Sequence, residues 1–298
     1  MPVAPERDAP PPARASIVIP AHNEEQVVDR ALRALTVDAP SDLEIVVVAN
    51  GCSDRTADVA RRFAGVRVIE VDRPGKASAL TLGDAACTAF PRVYLDADIE
   101  VVRADIERLV TAMQATNMPL ASMRPDFRLV GRNVLVRSYY RVWTRMPYVV
   151  DGMIGCGLYA LSEKGRSRFG DFPELVADDL FVDELFGADE RLVLDDARFV
   201  VRPPVNLRSL VRVLGRTRAG NRELRRAQRD GIVGRSTRAG NRKGGPLRSR
   251  GDVFIRNPRL MADLPIYVAI DVLGRLHGEL RALRGLSDWS RDDSSRSA

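Results

Sequence analysis

Hydrophobic and polar positions along the first hundred residues follow two alternating rhythms. Short β-branched runs read as buried strands: ASIVIPA (15–21), LEIVVVAN (43–50), VRVIEVD (66–72) and RVYLDADIE (92–100). Between them, NEEQVVDRALRAL, SDRTADVARRFA and KASALTLGDAAC carry apolar residues at helical spacing. Asn23 is placed to cap the first helix, and Ser53 or Asp54 the second. Strand, helix, strand, helix at this spacing predicts βαβ units and an α/β fold with a mainly parallel sheet. Ligands in such sheets bind at the carboxyl ends of the strands. Here each strand ends in polar residues: His22, Asn23 and Glu24; Asn50; Asp72; Asp96 and Asp98.

The last pair raises a chemical question. A core strand that ends on two acids two residues apart brings like charges together at a cost. A divalent cation removes that cost. Mg²⁺ takes one or two carboxylates together with substrate phosphates, and Mn²⁺ also favours oxygen ligands. If the strand runs straight through, its alternation points Asp96 and Asp98 the same way, into the cleft at the sheet edge. The blander reading is a pair of solvated loop acids. The four-strand pattern favours the metal site.

Composition narrows the class. The chain has 298 residues, 45% hydrophobic and 29% charged, a globular balance that can bury a sizeable core. No apolar stretch is long enough to cross a bilayer, and the N-terminus lacks the apolar segment of a signal peptide. Three cysteines, Cys52, Cys87 and Cys156, are too few and too scattered for a disulfide framework or a zinc site, so a reducing cytoplasm is expected.

The ordered segments SIVIPAHNEEQVV, VVVANGCSDRTADVA, RPGKASALTLGDAA, YLDAD and VADDLFVDELF resemble the family 2 glycosyltransferases of the GT-A fold, over about residues 15–200. The resemblance implies a Rossmann-like nucleotide-sugar domain that moves a hexosyl group from a nucleotide diphosphate sugar to an acceptor hydroxyl. It further implies inversion and dependence on Mn²⁺ or Mg²⁺. Carried over residue by residue, Pro20, Ala21 and Glu24, with His22 in the same turn, hold the base and ribose. Asn50 stands where many members have an Asp that contacts the base. Lys76 lines the donor pocket. Asp96 reaches the ribose or the metal, Ala97 lies between the two acids, and Asp98 binds the metal. Asp179 is the general base, and Asp178 stands where Glu is more usual. A retaining GT-A enzyme and a catalytically silent nucleotide-sugar or nucleic-acid binder remain as alternatives.

Each residue also has a plainer role. Asp178 and Asp179 suit the N-terminus of a helix, Asn50-Gly51 suits a tight turn, and Lys76 suits a solvated helix start. Cys156 suits a small buried position. Tyr139, Tyr140, Trp143 and Tyr148 suit a core or interface, and His277 suits a packed helix face rather than a third metal ligand.

Charge is unevenly distributed. Residues 202–250 hold fifteen Arg or Lys against Glu223 and Asp230, a net of +13, while the whole chain is +6 and the remainder therefore −7. Its part from Arg216 to Arg250, after the apolar helix LRSLVRVLG, repeats TRAGNR at 217–222 and 237–242 and is poor in apolar residues, which predicts a solvated loop. The expected organisation is a disordered Pro-rich tail (1–14), a GT-A domain (15–205, with a nucleotide-sugar half 15–100 and an acceptor half 101–205), a helical extension (206–285) with an Arg-rich mobile loop (215–250), and a polar tail (286–298). The family's Gln-x-x-Arg-Trp motif is absent. By position and charge, Arg216 and Arg218 are expected to close over the donor diphosphate. The other arginines are expected to make a peripheral contact with the inner face of a membrane or with a phosphorylated acceptor. No nucleic-acid partner is expected. The acceptor, whether glycan, lipid-linked or small molecule, is not specified by the sequence.

Overall fold

The computed structural model describes residues 13–37, 42–146, 149, 156–234 and 250–283. The Pro-rich tail, Tyr148, the second TRAGNR copy and the polar tail lie mostly or wholly outside these residues. The β-branched runs form the strands that their pattern predicts. β1 (Ala15–Ala21) is buried along its whole length and lies between β2 (Leu43–Asn50) and β4 (Arg92–Leu95), parallel to both. β3 (Val66–Val71) pairs parallel on the far side of β2. β6 (Leu158–Leu161) then runs antiparallel to β4 and to β5 (Leu120–Phe127), and β7 (Arg191–Val201) pairs parallel with β5. The order is β3-β2-β1-β4-β6-β5-β7, seven strands among the described residues.

Alternate residues of the central strands feed two cores. Ile17 and Ile19 pack with α1 (Val28–Thr36), α2 (Thr56–Ala60) and α4 (Arg103–Thr116) through Leu32, Val59 and Leu109. Val18 faces the other way, toward Leu80 of α3 (Lys76–Ala86) and Val182 of α7 (Asp178–Glu184). Burial of each such side chain contributes about 1.5–3 kcal/mol, so both faces must be covered for the sheet to persist. A third cluster joins α5 (Val134–Trp143) to the C-terminal helices through Tyr139, Tyr140, Leu210 and Ile270. The aromatic residues of α5 are therefore core: Tyr139 stacks on Tyr267, and Tyr140 packs edge-on to Trp143. A short α6 (Glu163–Arg166) follows β6.

Three local expectations are corrected. The fourth strand ends at Leu95, and the next residues turn: Ile99 N donates to Asp96 O at 3.0 Å. Strand alternation therefore does not align Asp96 with Asp98. Asn23 does not cap α1, which starts at Val28. It adopts φ 52° and its side chain accepts from Ser53 N at 2.6 Å, tying the two neighbouring βα turns together. Finally, the Arg-rich segment is not a loop over its first half. Residues Leu207–Arg229 form one long helix, α8, capped by Asn206, whose side chain accepts from Ser209 N. The extension is completed by α9 (Arg250–Arg256) and α10 (Leu264–Leu283). Among the described residues no disulfide joins the cysteines, and no helix is long and apolar enough to cross a membrane.

Candidate active site

Parallel β1, β2 and β4 end at one edge of the sheet, and the chemistry gathers there. Lys76 is the first residue of α3 and comes directly after Gly75. Its ammonium lies 2.8 Å from Asp96 Oδ1, in the turn after β4, and 2.8 Å from Asp178 Oδ1, at the head of α7. One cation thus joins the D-x-D turn to the later acidic motif, two segments about eighty residues apart in the chain.

The electrostatics explain why. Burial alone would discharge the lysine, but Asp178, Asp96 and Asp179 outweigh it and hold the ammonium charged beyond its ordinary range. The cost falls on Asp178, which is 2% exposed. Burial pushes its carboxyl up to about 6 against the pull of Lys76, and the charges of Asp179 and Asp96 add to the rise. Asp179 is half-buried, and its Oδ1 accepts from Leu180 N at 2.7 Å. Both acids sit in the first turn of α7, where the helix dipole favours negative charge.

The site's walls are built close to the backbone. Gly157 adopts φ 93°, and a Cβ there would lie 3.1 Å from Asp96 Oδ2, so β6 can enter beside the turn only without a side chain. Its carbonyl accepts from Asp96 N at 2.8 Å. Tyr159, stacked on Tyr94, is buried behind the carboxylates. Burial and the charge of Asp178 raise its phenol well above the usual range, and its hydroxyl has no hydrogen-bond partner among the described residues. Burial likewise raises the Cys156 thiol, which keeps it protonated, as a small packed residue should be.

Several residues expected to touch the nucleotide are placed otherwise. Asn50 is 0% exposed: its amide donates to Ala21 O at 2.8 Å, and its Oδ1 accepts from Gly75 N at 3.0 Å. These bonds hold the turn that delivers Lys76. Pro20, Ala21, Ala97 and Glu24 are buried, so the side chains of these four frame the edge from within. His22 is half-buried, with Nδ1 2.6 Å from Asn50 O. Arg216 and Arg218 lie on α8, two residues apart. Residues at that spacing are about 200° apart around a helix, so the pair cannot close together over one diphosphate. Arg218 is committed elsewhere: it pairs with the Asp271 carboxylate and donates to Asp271 O at 2.8 Å. His277 packs against Gly215 of α8.

Other parts carry no motif. Asp183, 1% exposed, pairs with Arg191, which also donates to the carbonyls of Phe186 and Gly187 and so pins α7 to β7. Gly220 of α8 abuts Val176 and Ala177, immediately before Asp178, and Gln228 donates to Glu184 Oε2 at 2.7 Å. A cavity of about 330 Å³ opens at the end of β5, lined by Arg124, Phe127, Thr144, Val149 and Arg198.

Residues 16–153 match the family model described as Glycosyl transferase family 2. That stretch is a family 2 glycosyltransferase domain. Glycosyltransferase AglE of Haloferax volcanii is 28% identical over 131 residues, 42% of this chain and 43% of the relative. Probable glycosyltransferase YdaM of Bacillus subtilis is 37% identical over 95 residues, 28% of this chain and 23% of the relative. The matched stretch thus spans under half the length of either relative. Mannosyltransferase PcManGT from Pyrobaculum calidifontis, solved with GDP-Man and Mn²⁺, superposes with a TM-score of 0.57 at 20% identity, covering 94% of this chain and 78% of that one. This likeness carries the GT-A fold beyond the family 2 domain, into the helical extension.

Proposed function

We propose that this chain transfers a sugar from a nucleotide diphosphate sugar to an acceptor hydroxyl with inversion. The observation that carries the reading is the meeting of the D-x-D turn and the second acidic motif within reach of one ammonium at the carboxyl edge.

Asp98 and Asp96 fit a divalent metal of the oxygen-seeking kind. Both are carboxylates on one tight turn, and no group of three possible ligands exists among the described residues. The remaining ligands would therefore be donor phosphate oxygens, as Mg²⁺ and Mn²⁺ favour. When bound, such an ion offsets charge that develops on the leaving diphosphate. Lys76 adds a second positive charge at the same edge.

Asp179 accepts the proton of the acceptor hydroxyl. The acceptor oxygen bonds to the anomeric carbon as the bond from that carbon to the β-phosphate oxygen breaks, and the nucleoside diphosphate leaves. One displacement inverts the centre. Asp178 is the weaker candidate for this role, because it is almost wholly buried and already bound to Lys76. General base catalysis of this kind contributes roughly 10²–10⁴-fold.

A thermal-shift panel of nucleotide sugars with and without Mn²⁺ tests the reading, beginning with GDP-mannose because PcManGT was solved with it. Metal-dependent stabilisation by at least one nucleotide sugar, followed by an inverted product in NMR, supports it. No stabilisation across the panel contradicts it.

A further inference from the structure

Among the described residues, α10 packs on one side only. Ile266, Tyr267 and Ile270 join the cluster with α5 and α8. Gly274 and Gly278 bring the helix backbone close to α8: a Cβ on Gly274 would lie 2.8 Å from Leu214 Cβ, and one on Gly278 would lie 2.9 Å from Gly215 O. The opposite side carries Val268, Val272, Leu276 and Leu280, each between 46% and 53% exposed, with Leu273 beside them. Spacing of four residues puts them in one row, about 18 Å long from first to last. Contiguous exposed apolar patches are uncommon on soluble monomers and mark contact surfaces.

The row's surroundings identify what it meets. Next to α10, on its packed side, runs α8, whose second half is basic. Arg222 reaches Glu279 of α10 at 3.8 Å, and Arg225, Arg226 and Arg229 on the same helix are exposed. A second copy would bring two such arginine runs together, and like charges would oppose it. An anionic bilayer is complementary to both features, accepting an apolar helix face at the acyl boundary and arginines at the headgroups.

We propose that this face docks on an anionic membrane surface, with α10 lying in the interface plane and the α8 arginines on lipid phosphates.

The test is sedimentation of the full chain with vesicles of phosphatidylglycerol and phosphatidylcholine, and with phosphatidylcholine alone. Wild type should bind the mixed vesicles, roughly tenfold better than the neutral ones, and less well as salt rises. A Leu276→Glu, Leu280→Glu double variant changes only exposed positions. It should melt normally and lose vesicle binding by roughly tenfold or more. Its calorimetric affinity for a nucleoside diphosphate with Mn²⁺ should equal that of wild type, which separates failure of docking from failure of the transfer reading. The proposal is overturned if wild type ignores anionic vesicles or binds both kinds equally, or if the double variant binds as well as wild type. A wild-type dimer in light scattering that the double variant dissociates would also overturn it, assigning the row to a second copy.

Discussion

Lys76 and Asp178 form the central ion pair of the site, with Nζ 2.8 Å from Oδ1 and the carboxylate almost wholly buried. Removal of the cation leaves a buried charge uncompensated, which typically costs 3–5 kcal/mol. Lys76→Met should therefore destabilise the fold by about 3 kcal/mol near neutral pH, the low end because Asp96 is partly solvated. The loss should depend on pH. Asp178 titrates at about 6 in the folded protein, above the ordinary 3.8, so it binds its proton more readily folded than unfolded and favours the fold increasingly as pH falls through 6. Lys76 lowers that value, so the variant raises it further. The penalty should shrink at about pH 5, where Asp178 is protonated in both proteins. Urea unfolding at about pH 5 and pH 8 reads this directly, and an equal penalty at both would mean that Asp178 does not titrate there.

The two acids at the head of α7 separate by role. Asp179→Asn should bind donor with unchanged affinity and lose transfer by roughly 10²–10⁴-fold. Asp178→Asn should lower stability and disturb donor binding, because it releases Lys76 from one of its two partners. Single-turnover rates beside calorimetry distinguish the two. Normal transfer by Asp179→Asn would remove it as the base.

Asn50 is predicted to act through the Gly75 turn. Asn50→Ala breaks buried hydrogen bonds to Ala21 O and from Gly75 N and should cost about 1–3 kcal/mol. Asn50→Asp keeps the acceptor for Gly75 N but sets a carboxylate against the Ala21 carbonyl, so it should be no more stable than the alanine variant. Equilibrium unfolding checks both, and a stabilised aspartate variant would refute the positioning role.

Much of this was legible in the chain. The runs SIVI, IVVV and RVYL are β-branched or apolar enough to be strands in almost any setting, and a mainly parallel sheet follows from their alternation with helices. What the pattern concealed was three-dimensional. Glycine and arginine after residue 215 suggested a loop, yet arginine is a good helix former. Gly215 and Gly220 sit on the buried face of α8, where they admit α10 and the Val176–Ala177 backbone. Nothing local reveals that the Asn50 side chain bonds the Ala21 and Gly75 backbone. The Asp183–Arg191 clamp pairs residues whose significance appears only once α7 lies on β7.

The assignment of Arg218 to structure is open to a direct check. Arg218→Ala removes the pair with Asp271 and should lower stability by about 1–2 kcal/mol, as a half-buried charged hydrogen bond would. Its donor affinity should match wild type. A selective loss of donor affinity with unchanged stability would return this arginine to the diphosphate.

Calorimetric titration of nucleoside diphosphate with Mn²⁺ into wild type and Asp98→Asn bears most directly on the donor site. Wild type should bind only when the metal is present, and the variant should lose that metal-dependent binding while melting like wild type. Full affinity in Asp98→Asn would contradict the assignment of the D-x-D turn to the donor.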